Sequence, residues 1–382
     1  MKIASIKISV FDMPSNTGRF DLREVEQGAW RRWVHVRSTR LQDAVHVLHV
    51  LHVFTDEDLE GTCTVGDARY TTMRQDDLEQ LRILAVGENP FDRERLNAKL
   101  RAATRGMFAR PGWFGTFDNC LWDIAGKAAG MPVYQLLGRA RQKAPAYYNF
   151  GGKTKEAAAA DAQKAVGYGF PAVKDHFRGT GKENIEWFKA AREAVGPDID
   201  LLHDAALCHY SFEEALRVGR VLDELAFGWF EEPLADRDQI ALQRLCTELD
   251  IPIVALESLM HDIDLSAVWL ISGATDSLRV NARHGTTSLL KLAHLAELHG
   301  ARVEMNGPGG LFGLVHAHLM CAISNTSYYE YFPNGSRDVI GKEIGLLNPS
   351  VPEEGYVVPP STPGWGAEWD WSYFEKKCVA EL

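Results

Sequence analysis

The sequence lacks several features that would associate the protein with nucleic acid, a membrane or the secretory pathway. Acidic residues exceed basic ones, 52 Asp and Glu against 41 Lys and Arg, so the net charge is -11. That charge disfavours binding to phosphate backbones and anionic lipid. The N-terminal "MKIASIKISVF" has no apolar signal core, and no apolar run approaches the roughly 20 residues of a membrane-spanning helix. We therefore predict a cytoplasmic protein without nucleic-acid or membrane partners.

The chain is also without any paired-cysteine motif. Its six cysteines contain no CxxC pair and no zinc-binding spacing: Cys63, Cys120, Cys208, Cys246, Cys321 and Cys378. Disulfides persist mainly in oxidising compartments, and free cysteine is among the most buried residue types. We interpret all six as free, mostly buried thiols in a reducing compartment.

The hydrophobic pattern changes along the 382 residues. Residues 1–13 alternate as a strand does, and residues 45–54 ("VHVLHVLHVF"), followed by "TDEDLEG" and "TCTVGD", indicate a hairpin. Residues 75–138 are helical in character. From about residue 144, short apolar strands alternate with amphipathic helices. This alternation predicts an α/β protein with a parallel sheet whose faces are covered by helices.

Polar residues recur at the predicted carboxyl ends of these strands. They follow one another at intervals of 24 to 30 residues: Lys174, Asp204, Glu231, Glu257, Asn281, Asn306 and Glu330. With an opening strand in "APAYYNFGG" there are eight strands, and eight such parallel strands close into a barrel with its active site at their carboxyl ends. We predict a barrel over residues 141–340, a separate N-terminal domain over 1–140, and a segment, 341–382, that returns to that domain.

Three acids close three consecutive strands of the predicted barrel. They are Asp204 in "DLLHDAA", Glu231 in "GWFEEPL" and Glu257 in "IVALES". Neighbouring parallel strands lie about 4.8 Å apart, so these carboxylates would crowd one rim of the barrel and repel one another. A hard divalent cation relieves that repulsion, and a set of oxygen ligands suits Mg²⁺. The spacing therefore predicts a magnesium site.

Several longer strings carry a resemblance to a known family. "FDNCLWDIAGKAAGMPVYQLLG", "WFEEPL" and "PGWG", together with the three acids, resemble the enolase superfamily and its mandelate racemase-like subgroup, which is rich in acid-sugar dehydratases. The resemblance covers nearly the whole chain. It implies a modified TIM barrel, (β/α)7β, under an α+β cap formed by the N-terminal region and the C-terminal tail. It also implies a homo-oligomer, either a dimer or an octamer.

The resemblance further implies the roles of individual residues. Asp204, Glu231 and Glu257 would hold Mg²⁺, which binds the carboxylate of a sugar acid, and a base would remove the α-proton to give a metal-stabilised enediolate. Where the family ends its second strand in Lys-x-Lys, this chain has Lys174 and then His176. By position, Lys174 assists the substrate carboxylate and His176 is the base. Neutral imidazole suits that role because its unperturbed pKa is near 6.5.

The opposite side of the barrel departs from the family pattern. Asn281 and Asn306 stand where relatives often carry an Asp–His pair, and amides form hydrogen bonds but are neither acids nor bases. Racemisation needs a base on each face of the enolate, whereas syn elimination of water can use one residue twice. The pattern therefore favours dehydration. His284 is an alternative second base. Glu330 matches a family acid that hydrogen-bonds the substrate carboxylate, and the alternative for it is a rim salt bridge.

We predict a Mg²⁺-dependent lyase that dehydrates an aldonic or aldaric acid to a 2-keto-3-deoxy acid. The first alternative is a racemase or epimerase of a similar carboxylate. The second is a non-catalytic relative that binds a sugar acid, for which loss of the Asp–His pair would be expected. A cycloisomerase is disfavoured because no lysine stands near Asn281.

Overall fold

Two sheets, one antiparallel and one almost entirely parallel, form the frame of the molecule. The computed structural model describes residues 1–14, 20–27, 30–37, 45–65, 73–107, 112–259, 262–307, 311–333 and 336–382. No helix within these ranges is long and apolar enough to cross a membrane.

The N-terminal strands form the antiparallel sheet and a separate ribbon. In the sheet, β1 pairs with β4, and β4 pairs with β5 through the hairpin indicated by the sequence. Ile6 and Ile8 of β1 are buried in the main core, whereas Phe11 joins a smaller cluster with Phe374, as expected where successive side chains of a strand point to opposite faces. The ribbon pairs β2 with β3. The bounds are β1 Ile3–Pro14, β2 Phe20–Gln27, β3 Trp30–Arg37, β4 Val45–Thr55 and β5 Glu60–Thr64.

Four helices follow within the described residues: α1 Gln75–Ala85, α2 Arg93–Met107, α3 Trp113–Ala129 and α4 Val133–Leu136. The longest, α3, is buried along most of its length and ends at Gly130 in the left-handed conformation, with φ 62°. Glycine tolerates that conformation without strain, so the chain can leave the helix there and turn toward the barrel.

Within the described residues, eight parallel strands form a nearly closed barrel, and the last of them pairs with the first. Seven helices connect them, so the predicted (β/α)7β barrel is confirmed. The helix over Phe212–Glu224 begins with a capping box, in which the side chains of Ser211 and Glu214 each accept from the other residue's backbone N–H. The strands are β6 Ala144–Asn149, β7 Ala172–Asp175, β8 Asp200–Asp204, β9 Phe227–Glu231, β10 Ile253–Ala255, β11 Ser277–Val280, β12 Arg302–Met305 and β13 Tyr329–Tyr331. The helices are α5 Lys155–Gly167, α6 Gly181–Val195, α7 Phe212–Glu224, α8 Gln239–Glu248, α9 Ile263–Ile271, α10 Thr286–Leu298 and α11 Phe312–Ala322.

The C-terminal segment contacts both sheets. Its elements are α12 Ser336–Glu343, β14 Tyr356–Val357, α13 Trp371–Lys377 and β15 Ala380–Glu381. Strand β14 pairs with β6 of the barrel, and β15 pairs with β1 of the N-terminal sheet.

Polar side chains of α3 join the N-terminal domain to the barrel and to the C-terminal segment. Asn119 Oδ1 accepts from the backbone N–H of Thr286, and Asp118 accepts from Thr287, so the first turn of α10 is capped from another domain. Asp123 Oδ1 accepts from the N–H of Trp365, 2.9 Å away. The strings "FDNCLWD" and "PGWG" thus contact each other directly.

Candidate active site

The predicted site residues lie at the carboxyl ends of the barrel strands. Asp204 ends β8 and Glu231 ends β9, and the two are direct partners in the register of these strands. Lys174 and Glu330 lie within β7 and β13, Glu257 begins a short 3₁₀ turn after β10, and Asn281 and Asn306 follow β11 and β12.

Three carboxylates form a group that could hold a metal ion. Among the described residues, Asp204, Glu231 and Glu232 each offer an oxygen, and these oxygens lie within 4.8 Å of one another. Glu232 was not predicted from the sequence. On a regular strand it would point away from Glu231, but its φ of 44° is in the left-handed region and breaks the alternation just after β9. The sequence feature that could have indicated Glu232 is the second acid of "WFEEPL".

Glu257 lies beside this group but not within it. Its side chain is about one-fifth exposed, and its Oε2 lies 3.8 Å from Nε of Arg279. Asp236 accepts from the backbone N–H groups of Leu256 and Ser258, both at 2.7 Å, and so fixes the turn on either side of Glu257. Leu256 itself has a φ of 87°, a strained conformation for a side-chain-bearing residue. The assignment of Glu257 as a metal ligand stays a prediction.

Lys174 is buried in the barrel beneath the acids. Its Nζ lies 3.0 Å from Glu231, 3.0 Å from Glu330 and 3.4 Å from Asp204, and its side chain has no exposed surface. Burial and the neighbouring Arg279 lower the pKa of Lys174, but Glu231 and Glu330 outweigh them and raise it well above its usual range. Lys174 is therefore a fixed positive charge below the rim.

A second buried cation, Arg279, was not predicted from the sequence. Its Nε lies 2.7 Å from Glu231 Oε1, and its Nη2 lies 2.9 Å from both Glu330 Oε2 and the hydroxyl of Tyr147. Arg279 is 1% exposed. Arg279 stands two residues before Asn281 in "SLRVN", so both residues lie on the same side of β11. This spacing is the sequence feature from which its place in the site could have been predicted.

The electrostatics of the acids indicate a site suited to a cation. Burial raises the pKa of Glu231 to about 7, against the attraction of Arg279 and Lys174. Burial and the charge of Glu257 raise the pKa of Glu232 well above its usual range. Carboxylates that repel one another at this distance are stabilised by a hard divalent ion, and oxygen donors match Mg²⁺. The donor set therefore fits a magnesium site.

His176 faces this group of acids from the solvent side. Its Nε2 lies 3.1 Å from Asp204 Oδ2, and its side chain is 29% exposed. Lys174 approaches the same Asp204 oxygen from below, so the two residues lie on the same side of β7. Asp175, between them, points outward and pairs with His203 at 2.7 Å.

The other side of the barrel carries a hydrogen-bonded amide pair. Asn281 Nδ2 donates to Asn306 Oδ1, and Asn281 Oδ1 accepts from the N–H of Arg283. Asn306 Nδ2 is buried and makes no hydrogen bond to any described residue. His284 is 7% exposed, and its Nδ1 contacts the backbone of Asn281. His316, on α11, accepts from the N–H of Ala282 at 2.9 Å, so it supports the backbone here.

Glu330 is surrounded by groups of the protein. Lys174 and Arg279 pair with its two oxygens, Asn149 Nδ2 donates to it at 3.3 Å, and the N–H of Gly307 also donates. These contacts fit the salt-bridge interpretation. Direct contact between Glu330 and the substrate carboxylate stays a prediction.

Comparison with known proteins identifies the family. The family model described as "Enolase C-terminal domain-like" matches residues 157–373, and the one described as "Mandelate racemase / muconate lactonizing enzyme, N-terminal domain" matches residues 22–138. The chain belongs to the enolase superfamily. The predicted resemblance is confirmed, and the arrangement of strands described above is the superfamily's barrel.

Named relatives within the superfamily are dehydratases. The arabinonate dehydratase of Saccharolobus solfataricus is 32% identical over 280 residues, 70% of this chain and 72% of that protein. A D-galactonate dehydratase family member from Catenulispora acidiphila is 28% identical, and the match covers 89% of this chain and 88% of that protein. The solved structure of D-glucarate dehydratase from Agrobacterium tumefaciens, complexed with magnesium, matches with a TM-score of 0.82 at 29% identity over the full length of both chains. The predicted class, an enzyme of the hydro-lyase type, is therefore confirmed by its relatives.

Proposed function

We propose that the protein is a Mg²⁺-dependent dehydratase that converts a sugar acid, an aldonate or an aldarate, to a 2-keto-3-deoxy acid. The observation that carries the proposal is one constellation at the barrel rim. Clustered carboxylates around Asp204 and Glu231 lie above two buried cations, with His176 facing Asp204 from the exposed side. The proposal includes the cytoplasmic location and the homo-oligomeric assembly predicted from the sequence.

Asp204, Glu231 and Glu257 would hold the ion. Glu232 lies beside Asp204 and Glu231 and would adjoin the ion. When bound, Mg²⁺ supplies Lewis-acid stabilisation of the negative charge that develops on the substrate carboxylate. Lys174 and Arg279 keep the ligand Glu231 in place through contacts of 3.0 and 2.7 Å. They also reduce the net negative charge that a dianionic intermediate would meet.

His176 rather than Lys174 acts as the base, because of these two residues it is the one that substrate can reach. Lys174 has no exposed surface and is enclosed by three carboxylates, whereas His176 is partly exposed. In the proposed reaction His176 takes the proton from C2, and the electron pair of that C–H bond passes to the substrate carboxylate to give the enediolate. The same electrons then form the C2–C3 double bond as the C3–O bond breaks. The same proton passes from His176 to the departing hydroxyl, so water leaves. The resulting enol tautomerises to the 2-keto acid.

The amide pair on the other face supports elimination over racemisation. The side chains of Asn281 and Asn306 form hydrogen bonds but act as neither acid nor base. His284 is almost completely buried, and its Nδ1 contacts the backbone of Asn281. The Nδ2 of Asn306, which donates to no residue that the structure describes, is a donor that a substrate oxygen would satisfy. We therefore propose that Asn306 contributes to catalysis by hydrogen bonding and that His176 works alone.

The first test is a screen of aldonic and aldaric acids with Mg²⁺, in which semicarbazide detects the 2-keto product. We expect turnover of one acid, and a loss of about 10²-fold or more in kcat for His176→Asn, because a positioned base contributes about 10²–10⁴-fold. His294→Asn, at an exposed histidine on α10, is the matched control and should keep the wild-type rate.

Each other outcome of the screen has a definite meaning. Retention of activity in His176→Asn would exclude it as the base. Exchange of the α-proton with D₂O accompanied by an epimeric product, and no 2-keto acid, would establish the racemase alternative. Mg²⁺-dependent binding of an acid without any reaction would establish the non-catalytic alternative.

A separate measurement assigns the third metal ligand. We expect Glu257→Gln to weaken Mg²⁺ binding about 100-fold or more and Glu232→Gln to weaken it about 10-fold, because groups that only adjoin a metal site typically contribute less than its ligands. Isothermal titration of each variant with MgCl₂ measures this without reference to activity. The reverse order would make Glu232 the third ligand and Glu257 its neighbour.

A further inference from the structure

A serine, a histidine and a glutamate form a hydrogen-bonded chain in the N-terminal sheet, away from the barrel strands. Ser9 Oγ of β1 lies 3.0 Å from His52 Nε2 of β4, and His52 Nδ1 lies 2.6 Å from Oε1 of Glu60 on β5. An ionised carboxylate can only accept, so the imidazole proton lies on Nδ1 and Nε2 is left to accept the proton of Ser9. This is the order of atoms in serine acyl-transfer triads.

Further contacts hold the chain in one arrangement. Thr62 Oγ1 donates to the same oxygen of Glu60 at 3.0 Å. The His52 ring packs against two aromatic rings, nearly parallel to Phe54 at 6.1 Å and edge-on to Phe374 at 5.7 Å between ring centres. Although burial raises the pKa of Glu60, the hydrogen bond from His52 lowers it below its usual range overall. The acid is therefore ionised and oriented toward the imidazole.

A cavity of about 460 Å³ opens onto this chain. It is bounded by β1, β4 and β5 on one side and by α13 and β15 on the other, and none of its described lining residues belongs to a barrel strand. Phe54, Trp371 and Phe374 give it an apolar wall. Lys7, two residues before Ser9 on the same face of β1, brings a positive charge to it and pairs with Glu381 at 2.7 Å.

We propose that this cavity is a second, acyl-transfer site in which Ser9 is the nucleophile, His52 the general base and Glu60 the residue that orients His52. Ser9 Oγ attacks the carbonyl carbon of an ester while its proton moves to His52 Nε2. The carbon–oxygen bond to the alcohol breaks, and His52 returns the proton to the departing alkoxide. Water, deprotonated by His52, then attacks the acyl-Ser9, so the acid is released and Ser9 regains its proton.

The lining of the cavity indicates the class of substrate. Aromatic side chains favour an apolar acyl or aryl group, and a volume of about 460 Å³ is that of a small-molecule site. Esters of short apolar acids with aryl alcohols therefore fit this site. Sugar acids are highly polar, so we expect them to bind at the barrel site and not in this cavity.

The test uses covalent labelling of the intact protein with phenylmethylsulfonyl fluoride, followed by peptide mapping, and hydrolysis of p-nitrophenyl butyrate. We expect one sulfonyl group on Ser9 and none on Cys378, which also lines the cavity. Hydrolysis should fall to background in Ser9→Ala. It should fall about 10²-fold or more in His52→Gln, because a positioned base contributes about 10²–10⁴-fold. Ser5→Ala is the matched control, because Ser5 lies on the same strand four residues before Ser9. This variant should behave as wild type.

The mapping on the wild-type chain needs no variant, so loss of folding in Ser9→Ala cannot obscure the result. A wild-type protein whose Ser9 stays unlabelled at saturating reagent would overturn the proposal. So would ester hydrolysis that persists in Ser9→Ala. Glu60→Gln separates a positioning role from a purely structural one, since it should lower kcat and leave both the KM and the thermal unfolding midpoint nearly unchanged.

Discussion

Replacement of Arg279 by methionine is expected to lower the free energy of unfolding by about 3–5 kcal/mol, because it leaves buried carboxylates without one of their counter-ions. Two buried cations, Lys174 and Arg279, face Glu231 and Glu330 inside the barrel. Methionine nearly matches the length of the arginine stem, so the loss is mainly one of charge and hydrogen bonds. Urea unfolding followed by tryptophan fluorescence, at a pH near 7.5 and without Mg²⁺, measures it.

The double variant Arg279→Met, Glu330→Gln is the control for this interpretation. It removes one positive and one negative charge together, so it should be more stable than Arg279→Met alone. Contacting residues of one network are expected to be coupled by 0.5–3 kcal/mol, roughly, in such a cycle. Strictly additive losses would mean that Arg279 stabilises the barrel by packing and not by its charge.

Arg279→Met should also weaken Mg²⁺ binding, whereas Arg279→Lys should do so less. Nε of Arg279 lies 2.7 Å from the oxygen of Glu231 that Lys174 does not contact, so the arginine helps to orient the carboxylate. Titration with MgCl₂ under conditions where each variant is folded measures this effect separately from stability.

The barrel could be predicted because its pattern repeats. Each strand is short and apolar, each ends on a polar residue, and the interval between successive ends is that of one strand and one helix. That spacing located the ends of seven strands, and the opening strand was found in "APAYYNFGG". In the structure, Asp204 and Glu231 of two neighbouring strands are direct partners. Resemblance to the enolase superfamily added the α+β cap and the expected roles of individual residues.

Glu232 and Arg279 could not be predicted in the same way, for different physical reasons. Glu232 joins the carboxylates because its backbone adopts a left-handed conformation, and strand alternation alone points it elsewhere. Arg279 lies inside a barrel strand, where an apolar residue is expected unless partners offset the cost of burying a charge. Those partners, Glu231 and Glu330, come from strands 48 and 51 residues away in sequence. Only the closed barrel brings them together.

The stability of the protein is expected to fall steeply as the pH drops below 6.5, because two histidines of α11 are buried without charge. Burial lowers the pKa of His318 to about 3, and burial with the nearby Arg283 lowers the pKa of His316 to about 3. In the unfolded chain each would titrate near 6.5, so each unfolded chain binds two more protons than the folded one at pH 5. The full stability is present above pH 6.5 and is lost as the pH falls toward 3, at about 1.4 kcal/mol per pH unit for each histidine.

His318→Asn tests this assignment. His318 Nδ1 accepts from the N–H of Tyr134 at 3.1 Å, and the ring meets Tyr134 and Trp365 edge-on, at 5.3 and 5.4 Å. Asparagine Oδ1 reaches the position of Nδ1, so the acceptor is retained while the titrating group is removed. The slope of unfolding free energy against pH, measured in urea between pH 4.5 and 5.5, should decrease by about 1.4 kcal/mol per pH unit.

The slope separates titration from packing. Loss of the ring contacts would shift the stability of His318→Asn by the same amount at every pH and leave the slope unchanged. Only removal of a group that gains a proton on unfolding changes the slope itself. His294→Asn, at an exposed position on α10, should leave the slope at its wild-type value. An unchanged slope in His318→Asn would mean that His318 titrates alike in the folded and unfolded chain, and that its burial under Trp365 does not hold it neutral.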